Sequence, residues 1–135
     1  MATINNSGIS INGIHNKDLG VFTKIMSRPI LPEKRKNKVK IPGLDGTINL
    51  GNGEYEEILI EFKICIIETT NINYRNKARE VAGWIKGENK KLIFDDEPNL
   101  EYTGECFSSV DLEELFNKVG ECTVIFECEP FPKSI

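Results

Sequence analysis

The sequence predicts a mainly β domain with one flanking α-helix, and three stretches carry this prediction. Residues Ile58 to Ile67 place apolar side chains at every even position, with Glu and Lys at odd positions between them. This two-residue period is typical of a half-buried strand. Residues Glu121 to Glu129 repeat the alternation, whereas Tyr74 to Lys86 is the stretch that switches to a helical period. One helix among several strands therefore describes the chain.

The strand at Ile58–Ile67 is the predicted centre of the sheet. Its apolar face consists of Ile58, Ile60, Phe62, Ile64 and Ile66. The other face also carries Leu59, Cys65 and Ile67, so we expect parts of it to be covered. The preceding segment, from Ile41 to Glu57, is rich in turn-forming residues: Pro42, Gly43, Gly46, Gly51 and Gly53.

The helical stretch has a recognisable stripe and recognisable ends. Its apolar stripe is Tyr74, Ala78, Val81, Ala82 and Ile85. The polar run Thr69–Asn73 supplies capping residues, and Gly87 is a natural stop. Trp84 borders the stripe, where we expect it to pack over the edge of the sheet.

Shorter strands complete the predicted sheet. Ile9–Ile14 reads as a strand entering an Asn12-Gly13 hairpin turn, and Val21–Met26 as the next strand. Lys91–Phe94 and Leu100–Cys106 flank an acidic turn. Residues 111–116 fit either one helical turn or an irregular strand. The last strand is expected to end before Pro130 and Pro132, which interrupt ladder pairing.

Composition places the chain among ordinary globular domains. It has 135 residues, 39% hydrophobic and 28% charged, which excludes wholesale disorder and indicates one domain. A net charge of −4 argues against a polyanion-binding protein, so no specific nucleic-acid binding is expected. No apolar run approaches the roughly 18 residues of a membrane span, and the first residues lack signal-peptide character. We therefore expect no membrane association and synthesis in the cytosol.

The residues that carry metal or cofactor chemistry are sparse. Cys65, Cys106, Cys122 and Cys128 contain no CxxC pair, and His15 is the one histidine. We expect buried reduced thiols and neither metal nor cofactor. The acidic run Asp95–Glu97 lacks the alternating ligands and glycine of an EF-hand, so it is interpreted as a plain acidic turn.

No arrangement of residues predicts catalysis. His15 has no serine elbow motif to work with, and the glycine-rich segment leads into a strand where a phosphate loop needs a helix. The adjacent carboxylate pairs, such as Glu56 and Glu57, would point to opposite faces of a strand. We predict that the protein is not an enzyme.

A basic segment is the one candidate interaction site. It comprises Lys34, Arg35, Lys36, Lys38 and Lys40. A solvated loop or a lysine-protected strand edge is the first interpretation. Contact with an acidic partner surface is second, and contact with DNA is last.

The ordered motifs resemble a known family. They are "ING" and "DLG" between Ile11 and Gly20, "IPGLDGTINL" at Ile41–Leu50, the "WI" at Trp84–Ile85, "KLIFDDEP" at Lys91–Pro98 and "VIFECEPF" at Val124–Phe131. Together they resemble the N-terminal domain of the distal tail proteins of long-tailed phages that infect Gram-positive bacteria. The resemblance covers nearly the whole chain.

The resemblance implies a fold, an assembly and a set of partners. The implied fold is a β-sandwich related to tail-tube proteins, with one flanking helix. The implied assembly is a hexameric ring of identical chains in the virion tail. It would join the tail-tube protein to the tail-tip or baseplate proteins. Such a ring is held together by heterologous contacts, in which one surface of each chain meets a different surface of the next. The second face of the long strand and the basic segment are candidates for these contacts.

The resemblance also bears on domain organisation. Family members usually continue into a second, C-terminal domain, and this sequence stops at Ile135, after the first. We therefore expect residues 1–135 to be a single domain of the N-terminal kind, with the second domain absent.

Two alternative functions remain. A tail-tube or tube-terminator subunit would share the related fold and would polymerise into tubes. A carbohydrate-binding β-sandwich would need exposed aromatic side chains on a sheet face, and Trp84 and Tyr74 lie near the packing face of the helix.

Overall fold

The strands and helix of the protein follow the predicted order. A computed structural model describes residues 8–35, 38–40, 42–43, 45–46, 48–49 and 54–135. The helix α1 spans Asn71–Ile85, and a short 3-10 helix spans Asn16–Leu19. The strands are β1 (Ile9–Ile11), β2 (Ile14–His15), β3 (Phe22–Ser27), β4 (Lys38–Val39), β5 (Ile48–Asn49), β6 (Ile58–Ile67), β7 (Lys90–Phe94), β8 (Leu100–Cys106), β9 (Leu112–Phe116), β10 (Val119–Cys128) and β11 (Lys133–Ser134).

Nine of the strands in the described residues form one antiparallel sheet. Its order is β2-β1-β7-β8-β10-β6-β3, with β9 also paired to β10 and β11 to β8. Strands β4 and β5 pair with each other separately. The predicted class, mainly β with one flanking α-helix among the described residues, is confirmed.

Strand β6 is central, as predicted. It pairs with β10 over ten residues, from Ile67 opposite Val119 to Ile58 opposite Cys128, and with β3 on its other side. All five even-numbered side chains of β6 are buried. On the odd face Leu59 and Ile67 remain about half exposed, at 49% and 53%. The odd face of β6 is therefore only partly covered by the rest of the protein.

The core is one cluster built from the inward faces of the sheet and from α1. Phe62 and Phe126 stack across β6 and β10 with ring centroids 5.7 Å apart, and Phe94 meets Tyr102 edge-on at 5.4 Å. The helix contributes Tyr74, Val81, Trp84 and Ile85 to the cluster.

The predicted hairpin turn is present. Asn12 and Gly13 have φ values of 51° and 84°, the left-handed pair that a two-residue type I′ turn requires. The indole of Trp84 donates a 2.9 Å hydrogen bond to the carbonyl of Ile14. Trp84 therefore packs over the edge hairpin, as expected. Gly43 and Gly46 also have positive φ, whereas the predicted turns at Gly51 and Gly53 lie outside the described residues.

Helix α1 begins three residues before the predicted Tyr74. The hydroxyl of Thr70 accepts a 3.1 Å hydrogen bond from the Asn73 amide, which caps the helix at Thr70 and starts it at Asn71. Ala82 is exposed, so its assignment to the buried stripe was wrong. Because Ala82 has an apolar methyl group, it counted towards the apolar stripe although its side of the helix is exposed to solvent.

The last third of the chain resolves one open choice and departs from prediction at three points. Residues 112–116 form strand β9, which resolves the open choice between helix and strand. Strand β10 starts at Val119, before the predicted Glu121, because a left-handed Lys118 turns β9 directly into it. Pairing resumes after Pro132, since Lys133 lies opposite Glu101 in β11. Cys106 is only half-buried, unlike Cys122 and Cys128.

Asn16 ties together the two ends of the sheet. It is completely buried, and its side-chain oxygen accepts a 3.1 Å hydrogen bond from the Ile9 amide in β1. Its amide nitrogen donates a 2.8 Å bond to the carbonyl of Val21, just before β3. Strands β1 and β3 lie near opposite ends of the sheet order. The sheet must therefore curve round the core to bring both strands to one side chain.

Arg28 makes a second link between these ends. It follows β3, and its guanidinium binds Asp96 through two hydrogen bonds of 2.9 and 2.7 Å. It also lies 4.5 Å from the ring centroid of Phe94 in β7. The hydrogen bonds from Arg28 lower the pKa of Asp96 below its ordinary value.

Candidate assembly surface

A solvent-exposed pair of aliphatic side chains stands out on the surface. Ile30 is 100% exposed and Leu31 is 70% exposed. We call these two residues the apolar tip. Contiguous exposed apolar surface is a feature of contact surfaces, and these two neighbouring side chains form a small apolar patch. Sequence reasoning missed the tip, although an Ile-Leu pair enclosed by Pro29 and Pro32 was the available signal.

The apolar tip is fixed at both ends. On one side Arg28 is held by Asp96 and Phe94. On the other side the chain pairs with residues 54–56: the Arg35 amide donates 2.8 Å to the Glu54 carbonyl, and the Glu56 amide 2.6 Å to the Glu33 carbonyl. Pro29 and Pro32 restrict the backbone between these anchors. The tip is therefore presented in a preorganised conformation.

The basic segment starts at the second anchor. Lys34 forms a β-bridge with Tyr55, whose ring meets Phe131 edge-on with centroids 5.1 Å apart. Lys34 and Lys40 are exposed. Lys36 lies outside the described residues, and for Lys38 the structure describes only the strand pairing with Asn49.

Arg35 is engaged within the chain. Its guanidinium lies 2.8 Å from a carboxylate oxygen of Glu54 and 3.3 Å from one of Glu56. These contacts raise the pKa of Arg35: the attraction of Glu56 is the largest cause, and the hydrogen bond to Glu54 is the next. The role of the basic segment as an interaction loop stays a prediction.

A shallow groove lies between helix α1 and strand β9. It has a volume of about 200 Å³, and both aliphatic and charged side chains line it. Val81 and Ile85 form part of the helix side, and Val110 and Leu112 part of the other side. We call this the α1–β9 groove. Arg75, Arg79 and Asp111 also line it and are exposed.

Carboxylates converge at the opposite end of β10. The carboxyl groups of Glu57, which precedes β6, and Glu127 of β10 are placed to form a hydrogen bond when one of them is protonated, and Glu105 of β8 lies across from Glu127. The bond to Glu57 and the repulsion between the two groups raise the pKa of Glu127. Sequence reasoning considered adjacent carboxylates and missed this pair, because strand register brings these residues together.

The acidic turn is occupied by contacts within the chain. Asp95 lies 2.9 Å from the His15 imidazole, and both Asp96 and Glu97 bind Arg28. Across the described ranges, no three His, Cys, Asp or Glu side chains are grouped as metal ligands are. The turn therefore has a structural role in joining β7–β8 to the start of the chain.

Of the four cysteines, Cys122 and Cys128 are buried as expected, whereas Cys65 and Cys106 are only half-buried. Desolvation makes three of the thiols poor nucleophiles. Desolvation raises the pKa of Cys65 and Cys122, and that of Cys128 to about 12. None of these thiols has a lowered pKa of the kind that catalytic cysteines show.

The aromatic side chains considered for carbohydrate binding are buried. Trp84 is 5% exposed and Tyr74 is 6% exposed. Neither can stack on a sugar ring from solvent, which weighs against the carbohydrate-binding alternative. In the part of the chain that the structure describes, no helix has the length and apolar content needed to cross a bilayer.

Comparison with known families decides the identity of the domain. The family described as the phage tail protein RIFT-related domain matches residues 14–128 of the sequence. The chain belongs to this family. The match runs from strand β2 to the last residue of β10, so it includes the helix and most of the sheet.

A solved structure shares the fold of this phage tail domain. The Dit protein of phage SPP1 superposes with a TM-score of 0.77 over 95% of the chain, at 16% sequence identity. That protein is described as a paradigm of the hub adsorption apparatus in phages infecting Gram-positive bacteria. The chain spans about half of its length, 52%. No curated protein matches the sequence.

The comparisons confirm the resemblance drawn from the motifs. The family is that of phage tail proteins, and the fold is that of a distal tail protein. The chain is accordingly a phage tail protein domain.

Proposed function

We propose that this tail domain forms a closed ring of identical chains, hexameric as in the distal tail family, which joins the tail tube to the tail tip or baseplate. The observation that carries the proposal is the family match over residues 14–128 together with the Dit fold over 95% of the chain. The likeness to Dit supports the proposal by fold alone.

The surface is compatible with repeated contacts between copies. A ring requires two different surfaces on each chain, one for each neighbour. The apolar tip and the α1–β9 groove lie on different parts of the molecule and would serve as two such surfaces. The single core cluster supports our treating residues 1–135 as one domain of the N-terminal kind.

The remaining surfaces would serve the other tail components. A connecting ring contacts the tail-tube protein on one side and tail-tip or baseplate proteins on the other. The basic segment, with Lys34 and Lys40 exposed, is our candidate for one of these contacts. Replacing Lys34, Arg35 and Lys36 with serine should weaken binding of the ring to a tail component while leaving the ring intact. Unchanged particle assembly by this variant would remove that role.

Native mass spectrometry with negative-stain images tests the proposal directly. The purified chain at high concentration should give a closed ring with a mass about six times the 15.3 kDa of one chain. Long tubes would instead favour the tail-tube alternative. A chain that stays monomeric at every accessible concentration would contradict self-assembly into a ring.

A further inference from the structure

We propose that the apolar tip of one copy inserts into the α1–β9 groove of the next copy, and that this contact closes the ring. The proposal rests on the proposed function, because it names the surfaces through which identical chains meet. It commits to a second copy of this chain as the occupant of the groove.

The tip has the properties of an inserted group. Ile30 and Leu31 are exposed at 100% and 70%, so water covers nearly all of their apolar surface in the isolated chain. Removing that surface from water is favourable by roughly 1.5–3 kcal/mol per fully buried side chain. Because the tip is held between Arg28 and the pairing of residues 33–35 with 54–56, little ordering would accompany its insertion.

The groove has the properties of a receiving site. Its volume of about 200 Å³ is small, and its inner wall includes Val81 and Ile85, which are 1% and 4% exposed. Ala78 and Ala82 of α1 also line the groove, and both have short side chains. Aliphatic side chains can pack against this buried wall, while Arg75, Arg79 and Asp111 can meet charged groups beside them.

Charges at the two surfaces are complementary. Glu33 follows the tip, is exposed, and forms no ion pair with any described residue. Arg75 and Arg79 are exposed at the groove and likewise have no ion-pair partner within the described residues. Insertion of the tip would bring Glu33 towards these arginines. Asp111 is the one acidic side chain among the described residues that line the groove.

The two surfaces belong to different parts of the fold, which makes the contact heterologous. The tip follows β3 and lies near the end of β7, whereas the groove is formed by α1 and the segment that enters β9. A contact of this kind leaves a free tip and a free groove on every pair, so pairs add further copies until a ring closes.

Complementary variants provide the test. The tip variant is Ile30→Ser with Leu31→Ser, and the groove variant is Arg75→Glu with Arg79→Glu. Each alone should weaken self-association at least about tenfold and abolish the ring in native mass spectrometry. An equimolar mixture of the two variants should form heterodimers. The intact tip of the groove variant can enter the intact groove of the tip variant, and neither protein keeps a second working surface through which another copy could bind. Adding Glu33→Arg to the groove variant should restore rings by reversing both charges.

A matched control separates this contact from general loss of apolar surface. Phe107→Ser with Ile135→Ser removes two exposed apolar side chains elsewhere, 56% and 64% exposed, and should keep the ring. Circular dichroism should show the wild-type fold in every variant. Rings from the tip variant, or a variant mixture that stays monomeric, would overturn the tip-and-groove contact while leaving the ring proposal in place. Absence of rings from the wild-type chain would overturn the ring proposal itself.

Discussion

Replacing Asn16 should be the most damaging polar substitution in this fold. The side chain satisfies the Ile9 amide at 3.1 Å and the Val21 carbonyl at 2.8 Å, and so joins β1 to the entry of β3. Asn16 is 0% exposed, Ile9 1% and Val21 3%, so water does not reach these groups in the folded chain. Asn16→Ala would leave both backbone groups buried without a partner.

The expected loss follows from those two groups. A buried donor or acceptor left unsatisfied costs about 1–3 kcal/mol, so two of them should cost about 3 kcal/mol or more. Small domains unfold with a free energy of about 5–15 kcal/mol, which makes this a large fraction. With a urea dependence of about 2 kcal/mol per molar, the unfolding midpoint should fall by about 1.5 M.

Urea unfolding followed by far-UV circular dichroism measures this loss, at a concentration where the chain is monomeric. Asn76→Ala, an exposed asparagine on α1, is the matched control and should change stability by less than about 0.5 kcal/mol. Asn16→Asp should be worse than Asn16→Ala at neutral pH, because a carboxylate oxygen would then face the Val21 carbonyl. It should recover partly below about pH 4, where the protonated acid can donate. A loss below about 1 kcal/mol for Asn16→Ala would refute the argument.

Two further predictions concern packing and pH. A Cβ at position 120 would collide with the hydroxyl of Tyr74, so Gly120→Ala should destabilise the fold by about 2 kcal/mol. Tyr74→Phe should be neutral or stabilising, because that hydroxyl is buried without a hydrogen-bond partner in the described structure, and it should relieve part of the Gly120→Ala loss. Thermal melts of the two single variants and the double variant test this coupling, and strictly additive losses would contradict it. The second prediction concerns Asp96, because Arg28 lowers the pKa of this carboxyl group in the folded chain. The stability that Asp96 contributes is therefore fully present above the unfolded pKa of about 3.9, and it is lost as pH falls through the folded pKa. Since Asp96 is 60% exposed, Asp96→Asn should cost only about 0.5–1 kcal/mol at pH 7, and the difference from wild type should vanish in acid. Urea unfolding from pH 7 downwards measures it, and a gap that persists below the folded pKa would exclude this linkage.

Local patterns in the sequence were enough to predict most individual elements. The alternation of apolar and polar residues in β6 indicates which side of the strand is buried. The Asn12-Gly13 pair after β1 indicates where the chain reverses. Boundaries were less well predicted, as at Asn71, because a single capping hydroxyl decides where a helix starts. The motif order also identified the phage tail family correctly.

The candidate assembly surface was only partly predictable. The basic segment could be recognised in the sequence because the charge of a Lys or Arg side chain follows from its residue type alone. The apolar tip was missed because an Ile-Leu pair between prolines reads equally well as a buried turn. Only the fold leaves Ile30 fully in water while holding the residues on either side.

What the sequence determined by itself was the set of elements, their inward faces and the family. Side-chain periodicity carries that information because it depends on residues within one turn or one strand. What the tertiary structure decided was which distant residues meet: Asn16 between β1 and β3, Arg28 against an acidic turn 68 residues away, and Glu57 beside Glu127. These contacts depend on strand order and register, and no local pattern encodes either, because each is set by how the whole sheet curves round one core.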